Sequence, residues 1–210
     1  MRNHNHRVQT FRSFRELPKY VYHGTSSINY DDLDNNVLIE KCLDYTDFGK
    51  GFYLTSRYEQ ASKHAKYRIG EGEQPIVFHY EIDIGLLKKG YGVKTFPNMD
   101  IEWAKFILHN RSEKFFQKHS HNAVYGGLAD GQMRNLMRTI NKLPVIDDDV
   151  YRIFHDEIKK YTQEDQMSVH NQLIFTQNII KQVKVSNAGD KNSIYIPQPK
   201  QPANPKTPTK

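Results

Sequence analysis

The chain has 210 residues, of which 37% are hydrophobic, 26% charged and 12% aromatic. This composition is typical of a globular domain with a buried core and not of a disordered chain. No apolar run approaches the roughly 18 residues of a membrane-spanning helix, and the N-terminus lacks the apolar stretch of a secretory signal peptide. A single cysteine, Cys42, excludes an internal disulfide and a multi-cysteine zinc site. We therefore expect a soluble cytoplasmic protein without a membrane partner.

The formal charge of +6 is concentrated at the two ends of the chain. Residues 1–19 carry five basic residues against one acidic residue, and residues 187–210 carry four against one. The body between them is close to neutral. We predict a basic N-terminal extension over 1–19, one domain over 20–186 and a disordered Pro/Lys-rich tail over 187–210. Basic ends can attract nucleic acid or other acidic partners, and they equally fit solvated tails.

The body is predicted to mix strands and helices. Short β-rich runs at 20–23 and 52–55 are each bounded by glycine. Helical spacing of apolar residues predicts a helix over 57–69, and alternation predicts a strand over 76–84. The later predicted elements are a helix over 99–110, a strand over 123–125, helices over 131–143 and 148–161, a strand over 172–176, and a short helix or turn with a last strand over 179–185. Strands at both ends with helices between them indicate an α+β sheet domain.

Two early segments carry residues suited to ligand binding. In residues 22–25 (YHGT), the imidazole of His23 stands at a strand end beside a glycine whose backbone a ligand can approach closely. In residues 47–55 (DFGKGFYLT), two glycines precede an aromatic strand, so the loop could wrap a flat ligand and Tyr53 could offer its ring for stacking. Each segment alone also fits a structural role, as a satisfied strand-end histidine or as a tight turn.

A third segment, residues 170–175 (HNQLIF), places a polar pair directly before an apolar run. The amide of Gln172 could bond a sugar hydroxyl, although a surface position on the flank of a strand explains this segment alone more simply. The loop at 47–51 is neither a Walker loop nor a dinucleotide fingerprint. The histidine pairs at 4–6 and 119–121 have spacings that could bind a metal, but no third ligand matches them, and no metal is expected.

Together, in this order and spacing, the three segments resemble the ADP-ribosyltransferase superfamily. YHGT and FGKGFYLTS are similar to the His and Tyr motifs of its poly(ADP-ribose) polymerase and diphtheria-toxin branch, and Gln172 stands where that branch has a Glu. The resemblance spans about residues 20–185 and also includes the helix with Trp103 and the segment AVYGGLAD. Within the superfamily, the chain is most similar to a bacterial family of unassigned function.

The resemblance implies an ADP-ribosyltransferase-like fold, with two small packed β-sheets around an NAD cleft and flanking helices. It implies that His23 bonds the adenosine ribose, that the Gly24 backbone holds the nicotinamide carboxamide and that Tyr53 stacks on the nicotinamide ring. It also implies that Gln172 approaches the 2′-OH of the nicotinamide ribose. The further residues implied to bind NAD in the cleft are Thr25, Asp47, Gly49, Lys50 and Gly51.

The activity implied by the resemblance is mono-ADP-ribosyl transfer. Such an enzyme cleaves the nicotinamide–ribose bond of NAD and transfers ADP-ribose to a protein or nucleic acid, with NAD as co-substrate and no metal. A glutamine at position 172 keeps hydrogen bonds but loses negative charge beside the transition state, which weakens the expectation of polymer synthesis. Asp47, Asp130 and Glu164 are carboxylates that could take over this role, although each also fits a loop or helix-cap position.

Three alternatives to transfer remain at this stage. They are an NAD glycohydrolase, a non-catalytic module that binds NAD or ADP-ribose, and a nucleic-acid-binding domain without an NAD site, against which the near-neutral body argues. Because the superfamily includes toxins, effectors and defence proteins, a toxin role and a cognate antitoxin or inhibitor are further expectations.

Overall fold

The structure is a computed structural model that describes residues 14–112, 119–130, 133–159 and 163–197. Most of the predicted basic extension and much of the predicted tail lie outside these residues, as do the predicted helix start at 131 and helix end at 161. In the described part, no helix is both long and apolar enough to cross a membrane. The strands are β1 (Tyr20–Ser26), β2 (Phe52–Leu54), β3 (Pro75–Ile82), β4 (Val93–Thr95), β5 (Ala123–Gly127), β6 (Asp165–Val169) and β7 (Ile180–Asn187). The α-helices are α1 (Tyr30–Asn35), α2 (Tyr58–Tyr67), α3 (Ile84–Gly90), α4 (Ile101–Arg111), α5 (Met133–Ile140), α6 (Asp148–Ile158) and α7 (Leu173–Thr176).

The strands form two small sheets. One is antiparallel with the order β1-β3-β7, and the other has the order β2-β6-β5-β4 with a parallel pair between β4 and β5. The predicted α+β class with two small sheets is therefore confirmed. The first and last strands of the chain lie in the same sheet, on either side of β3.

Two hydrophobic clusters stabilise this arrangement. The first joins side chains of both sheets, for example Phe78 of β3 and Met167 of β6, which are fully buried. The second lies between β5 and helices α4 to α6, with Trp103 at its centre, where the indole N–H donates to the Gly127 carbonyl over 3.1 Å. Alternation along β2 places Phe52 in the first cluster and Tyr53 against the second.

Aspartate side chains cap the N-termini of three of the described helices. Asp83, Asp100 and Asp147 each accept a hydrogen bond from the backbone N–H three residues later, at the starts of α3, α4 and α6. These caps satisfy donors that a helix start leaves unpaired and place negative charge where the helix dipole favours it.

Among the described residues, one antiparallel bridge joins the two sheets. The Tyr22 N–H donates to the Thr55 carbonyl over 2.7 Å, and the Thr55 N–H donates to the Tyr22 carbonyl over 2.9 Å. The chain then enters α2, which packs on β1. A Cβ on Gly24 would overlap the carbonyl oxygen of Ala61, so this close helix approach requires glycine.

The strand predicted over 172–176 is wrong, because this segment forms the short helix α7. The side chain of Asn171 accepts a hydrogen bond from the Leu173 N–H over 2.9 Å, and Gln172 adopts a helical backbone at the cap position. The local Asn turn therefore overrides the strand preference of the apolar residues that follow it.

Candidate functional site

His23 lies at the junction of the two sheets, where β1 meets β2. Its Nδ1 bonds the backbone carbonyl of Tyr53 over 2.8 Å, and its ring centroid is 4.4 Å from that of Phe52. Since a carbonyl only accepts hydrogen bonds, Nδ1 carries the proton and Nε2 is left as an acceptor. Strand β2 thus fixes both the orientation and the tautomer of His23.

The imidazole of His23 is neutral at pH 7. Burial, with smaller contributions from the charges of His64 and Arg68, lowers its pKa to about 4 against the opposing effect of the hydrogen bond to Tyr53. His64 and Arg68 lie one turn apart at the C-terminal part of α2, so this helix places basic groups beside the site. Nothing in the sequence pattern distinguishes them, since basic residues at this spacing are also typical of a solvated helix face.

The open edge of β1 begins at Gly24. The backbone groups of Tyr22 point away from β3, because they bond Thr55. Backbone direction alternates in an antiparallel ladder, so the N–H and C=O of Gly24 also point away from β3. If the pairing of Tyr22 with Thr55 continued along the two strands, Gly24 would pair with Tyr53. The Tyr53 carbonyl bonds the His23 side chain and not the Gly24 backbone. One donor and one acceptor of Gly24 therefore face the gap between the sheets.

A cavity of about 280 Å³ opens beside His23. This volume is near the lower end for small-molecule sites. Asn29 donates to Thr25 Oγ1 over 2.9 Å, and the Asp32 carboxylate is 3.7 Å from Lys41 Nζ, so the wall carries an amide, a hydroxyl and a carboxylate that can bond sugar hydroxyls. The residues around the cavity are His23, Thr25, Asn29, Asp32, Leu33, Asn36, Val37, Leu38, Lys41, Cys42 and Phe52.

Tyr53 anchors the loop that precedes β2. Its hydroxyl accepts a hydrogen bond from the Phe48 N–H over 2.7 Å and lies 3.0 Å from both Thr46 Oγ1 and the Gly49 carbonyl. Burial raises the pKa of Tyr53, so the hydroxyl stays protonated at neutral pH. Tyr53 contacts His23 through its backbone carbonyl, while its side chain lies on the opposite face of β2 from Phe52, against the second cluster. The Tyr53 ring, predicted to stack on nicotinamide, therefore does not line the cavity beside His23.

The first part of the predicted ligand loop is held by α4 and β6. The buried carboxylate of Asp47 bonds Arg111 Nε and, over 2.8 Å, Gln166 Nε2. Gly49 has a φ of 87°, and a Cβ there would lie 2.9 Å from Asn110 Oδ1. Asp47 and Gly49 thus position the loop and do not line the cavity beside His23.

The second part of the loop also lies outside that cavity. Lys50 pairs with Asp44 at 3.7 Å, and its backbone carbonyl bonds His170 Nδ1 over 2.8 Å. A Cβ on Gly51 would overlap Ser168 Oγ, so close packing on β6 requires glycine there. Of the residues predicted to bind NAD, the structure brings His23 and Thr25 to the cavity and Gly24 to the adjoining gap.

Gln172 touches the cavity wall from behind. Its side-chain oxygen accepts from the Ile39 N–H over 3.0 Å, and its amide nitrogen bonds the Val37 carbonyl. Val37 lines the cavity, whereas Gln172 does not. Both ends of the amide are therefore used to hold the segment between α1 and Lys41, 133 residues away in sequence.

We expect Gln172→Glu to loosen this wall. A carboxylate has no N–H to donate to the Val37 carbonyl and would face it with like partial charge. Amide hydrogen exchange at residues 36–42 should be at least tenfold faster than in the wild type. Gln177→Glu, which alters the acceptor of the Tyr91 hydroxyl, is the matched control and should leave this segment unchanged. Unchanged exchange in Gln172→Glu would contradict a wall held by Gln172.

The family comparison covers most of the chain. A family model described as a protein of unknown function (DUF3990) matches residues 20–184. The chain belongs to the DUF3990 family. Neither a curated protein nor a solved structure matches it.

In this DUF3990 member, the carboxylate on the cavity wall is Asp32, which the sequence patterns do not single out. Of the carboxylates considered from sequence, Asp47 is bonded to Arg111. Asp130 and Glu164 lie where β5 and β6 meet α6, since the Asp130 N–H donates to the Ile158 carbonyl over 3.2 Å, and the Glu164 carbonyl accepts from Leu128 over 3.0 Å. Neither lines the cavity beside His23.

His119 and His121 pack beside the loop that precedes β2. His119 Nε2 bonds the Phe48 carbonyl over 2.8 Å, and the rings of His119 and His121 are 5.3 Å apart. The pair at 4–6 lies outside the described residues. Within the part of the chain that the structure describes, no group of three or more His, Cys, Asp or Glu is arranged to hold a metal.

Acid should destabilise this fold through its buried histidines. Burial lowers the pKa values of His23, His79 and His170 to about 4 each, whereas an unfolded histidine titrates near 6.5. The unfolded chain therefore binds more protons between pH 6.5 and 4, so the free energy of unfolding falls as pH falls through this range, by up to about 3 kcal/mol per histidine. Urea denaturation at pH 7.5, 5.5 and 4.5 measures this slope, and a flat profile would contradict it.

Proposed function

We propose that the protein is an NAD-dependent mono-ADP-ribosyltransferase with an ADP-ribosyltransferase-like fold. The observation that carries this proposal is the gap between β1 and β2, which opens where the two sheets separate at His23 and Tyr53. The His23 imidazole and the backbone carbonyl of Tyr53, 30 positions apart in sequence, are joined there by a hydrogen bond of 2.8 Å. The two sequence motifs therefore meet at the gap between the sheets.

The gap beside Gly24 suits a carboxamide. A primary amide presents one acceptor and a donor pair side by side, which complement the N–H and C=O that Gly24 turns toward the gap. The nicotinamide group of NAD carries such an amide. In this pose the adenosine half would extend into the cavity, where the Nε2 of neutral His23 can accept a ribose hydroxyl and Asn29 and Asp32 can bond further hydroxyls.

The reaction consists of one bond exchange at the nicotinamide ribose. The C1′–N bond breaks and its electron pair leaves with neutral nicotinamide, a nucleophile of the acceptor forms the new bond to C1′, and the acceptor's proton passes to solvent. His23 orients the dinucleotide, Gly24 holds the leaving group, and Gln172 keeps the cavity wall in place. Positioning of this kind lowers the barrier without a protein nucleophile.

A non-catalytic NAD-binding module is the second candidate, and the contacts of Gln172 favour it. Its neutral amide is bonded at both ends to the backbone of the cavity wall, so it supplies no charge to an oxocarbenium-like transition state. Such a module would bind NAD in the same gap and release no nicotinamide.

Transfer is tested with NAD labelled in the adenylate phosphate and a bacterial lysate. The wild type should label a macromolecule, and digestion with protease, RNase or DNase identifies its class. Tyr53→Ala, which removes both the ring and the loop anchor, should reduce labelling at least tenfold, while Tyr53→Phe keeps the ring and should retain more activity than Tyr53→Ala. Tyr91→Ala is the matched control.

The products distinguish the remaining outcomes. Label only in free ADP-ribose would mean hydrolysis, with water as the acceptor. NAD that binds but stays intact would favour the binding module. Unchanged labelling in Tyr53→Ala would contradict the assignment of the site.

A further inference from the structure

A second groove of about 560 Å³ runs along the outer side of α2. Its walls are α2 and the turn that follows β7, and Lys63, Lys66, Tyr67 and Lys191 line it. We call these residues, with Glu59, the α2 groove. It is distinct from the cavity beside His23, with which it shares no lining residue.

The α2 groove is a local concentration of positive charge on a nearly neutral body. Three lysines line it against one acid, Glu59. None of the three forms a salt bridge within the described residues, so their charges are not neutralised by the fold.

Aromatic rings stand among these cations. The Tyr67 side chain is 79% exposed at the C-terminal end of α2. Lys191 Nζ lies 5.0 Å from the ring centroid of Tyr22, which holds this lysine against the sheet. An acidic peptide would need only the charges of the lysines, whereas a nucleic acid base can also stack on the exposed ring of Tyr67. Lysines for phosphates and a ring for base stacking are the combination that binds single-stranded nucleic acid.

The groove and the candidate site lie on two sides of the same helix. Ala61 of α2 packs on Gly24, and His64 and Arg68 lie close enough to His23 to help lower its pKa. At 3.6 residues per turn, Lys63 and Lys66 lie on the face of α2 opposite Ala61. A strand bound in the groove would have to pass around an end of α2 to reach the open edge of β1.

We propose that the α2 groove binds single-stranded nucleic acid and, resting on the proposed function, that this strand is the acceptor of ADP-ribose. A hydroxyl or ring nitrogen of the strand would attack C1′ of the nicotinamide ribose, nicotinamide would leave with the bond pair, and the proton of the nucleophile would pass to solvent.

The test measures fluorescence anisotropy of labelled 12-nucleotide RNA and DNA single strands, the matching duplexes and a polyglutamate peptide, with the full chain. Lys63→Glu/Lys66→Glu should weaken single-strand binding at least tenfold. The matched control is Lys88→Glu/Lys89→Glu on α3, which makes the same charge change at the other end of β3. This control should weaken single-strand binding less than threefold. Tyr67→Ala should weaken single-strand binding about tenfold. Thermal melting checks that every variant is folded.

The outcomes separate this proposal from the proposed function. Equal losses of single-strand binding in the two double variants would overturn the proposed role of the groove, whatever the protein does with NAD. Polyglutamate binding as tight as single-strand binding would overturn it too. Single-strand binding that depends on the groove, without nicotinamide release from NAD, would support the groove as a nucleic-acid site and contradict the proposed enzymatic function. Nicotinamide release that survives in Lys63→Glu/Lys66→Glu, together with loss of label on the oligonucleotide, would support both.

Discussion

Replacing His23 with alanine is expected to lower nicotinamide release from NAD at least 100-fold. The change removes the Nε2 acceptor in the cavity and the bond that fixes the Tyr53 carbonyl, and a misplacement of the bound substrate by about 1 Å can cost about 10² in rate. His23→Asn separates the two effects, since its amide can still donate to the Tyr53 carbonyl but lacks an acceptor at the Nε2 position. We expect it to fold like the wild type and to lose activity nearly as strongly as His23→Ala.

The matched control is His109→Ala, which removes an imidazole on α4 that bonds the Tyr151 hydroxyl over 2.8 Å. Its nicotinamide release should stay within about twofold of the wild type. A His23→Asn protein that retains full activity would show that His23 has only a structural role at the sheet junction.

Asp165 carries the largest expected effect on stability. Its fully buried carboxylate accepts hydrogen bonds from Thr55 Oγ1 over 2.6 Å, from the Ser56 N–H over 2.8 Å and from the Tyr125 hydroxyl over 2.9 Å, and it also bonds Ser56 Oγ. Asp165→Asn replaces an acceptor by an N–H₂ group that faces these donors. Each buried donor left without an acceptor costs about 1–3 kcal/mol, so we expect a loss of about 2 kcal/mol or more in urea denaturation.

Asp147→Asn is the control for this change. Asp147 caps α6 from an exposed position, and asparagine caps a helix about as well, so its free energy of unfolding should change by less than about 0.5 kcal/mol. Equal losses in the two variants would contradict a special role for Asp165. The network matters for the site as well, because the backbone of Thr55 bonds Tyr22 across the two sheets.

The strands and helices with clear periodicity could be predicted from the sequence. Strand β3 and helices α2 and α4 lie within two residues of the predicted bounds, because alternating or helical apolar spacing matches the core that they face. Strand β1 begins at Tyr20 as predicted but extends to Ser26, three residues beyond the predicted end. Strand β6 could not be predicted in this way. Three of its five buried residues are polar (Asp165, Gln166 and Ser168). The hydrogen-bond partners that make the burial of Asp165 and Gln166 tolerable come from distant parts of the chain.

The same limit applies to the candidate site. Local motifs point to His23 and Tyr53, because a glycine beside each strand end leaves a sequence signal. The contact of Gln172 with Val37 and Ile39 leaves no signal in the sequence, because it joins segments more than 130 residues apart through backbone groups. Asp32 lies on the short polar helix α1, whose sequence is typical of a surface helix. Only the tertiary structure places Asp32 on the wall of the cavity.

Nicotinamide release is the most direct test of the central claim, that the gap between β1 and β2 binds and cleaves NAD. The full chain would be incubated with NAD labelled in the nicotinamide ring, with free nicotinamide separated over time, and NAD binding would be measured by calorimetry on the same sample. We predict nicotinamide release above the buffer rate, lost in His23→Asn and kept in His109→Ala. NAD that is neither bound nor cleaved by the wild type would contradict the claim.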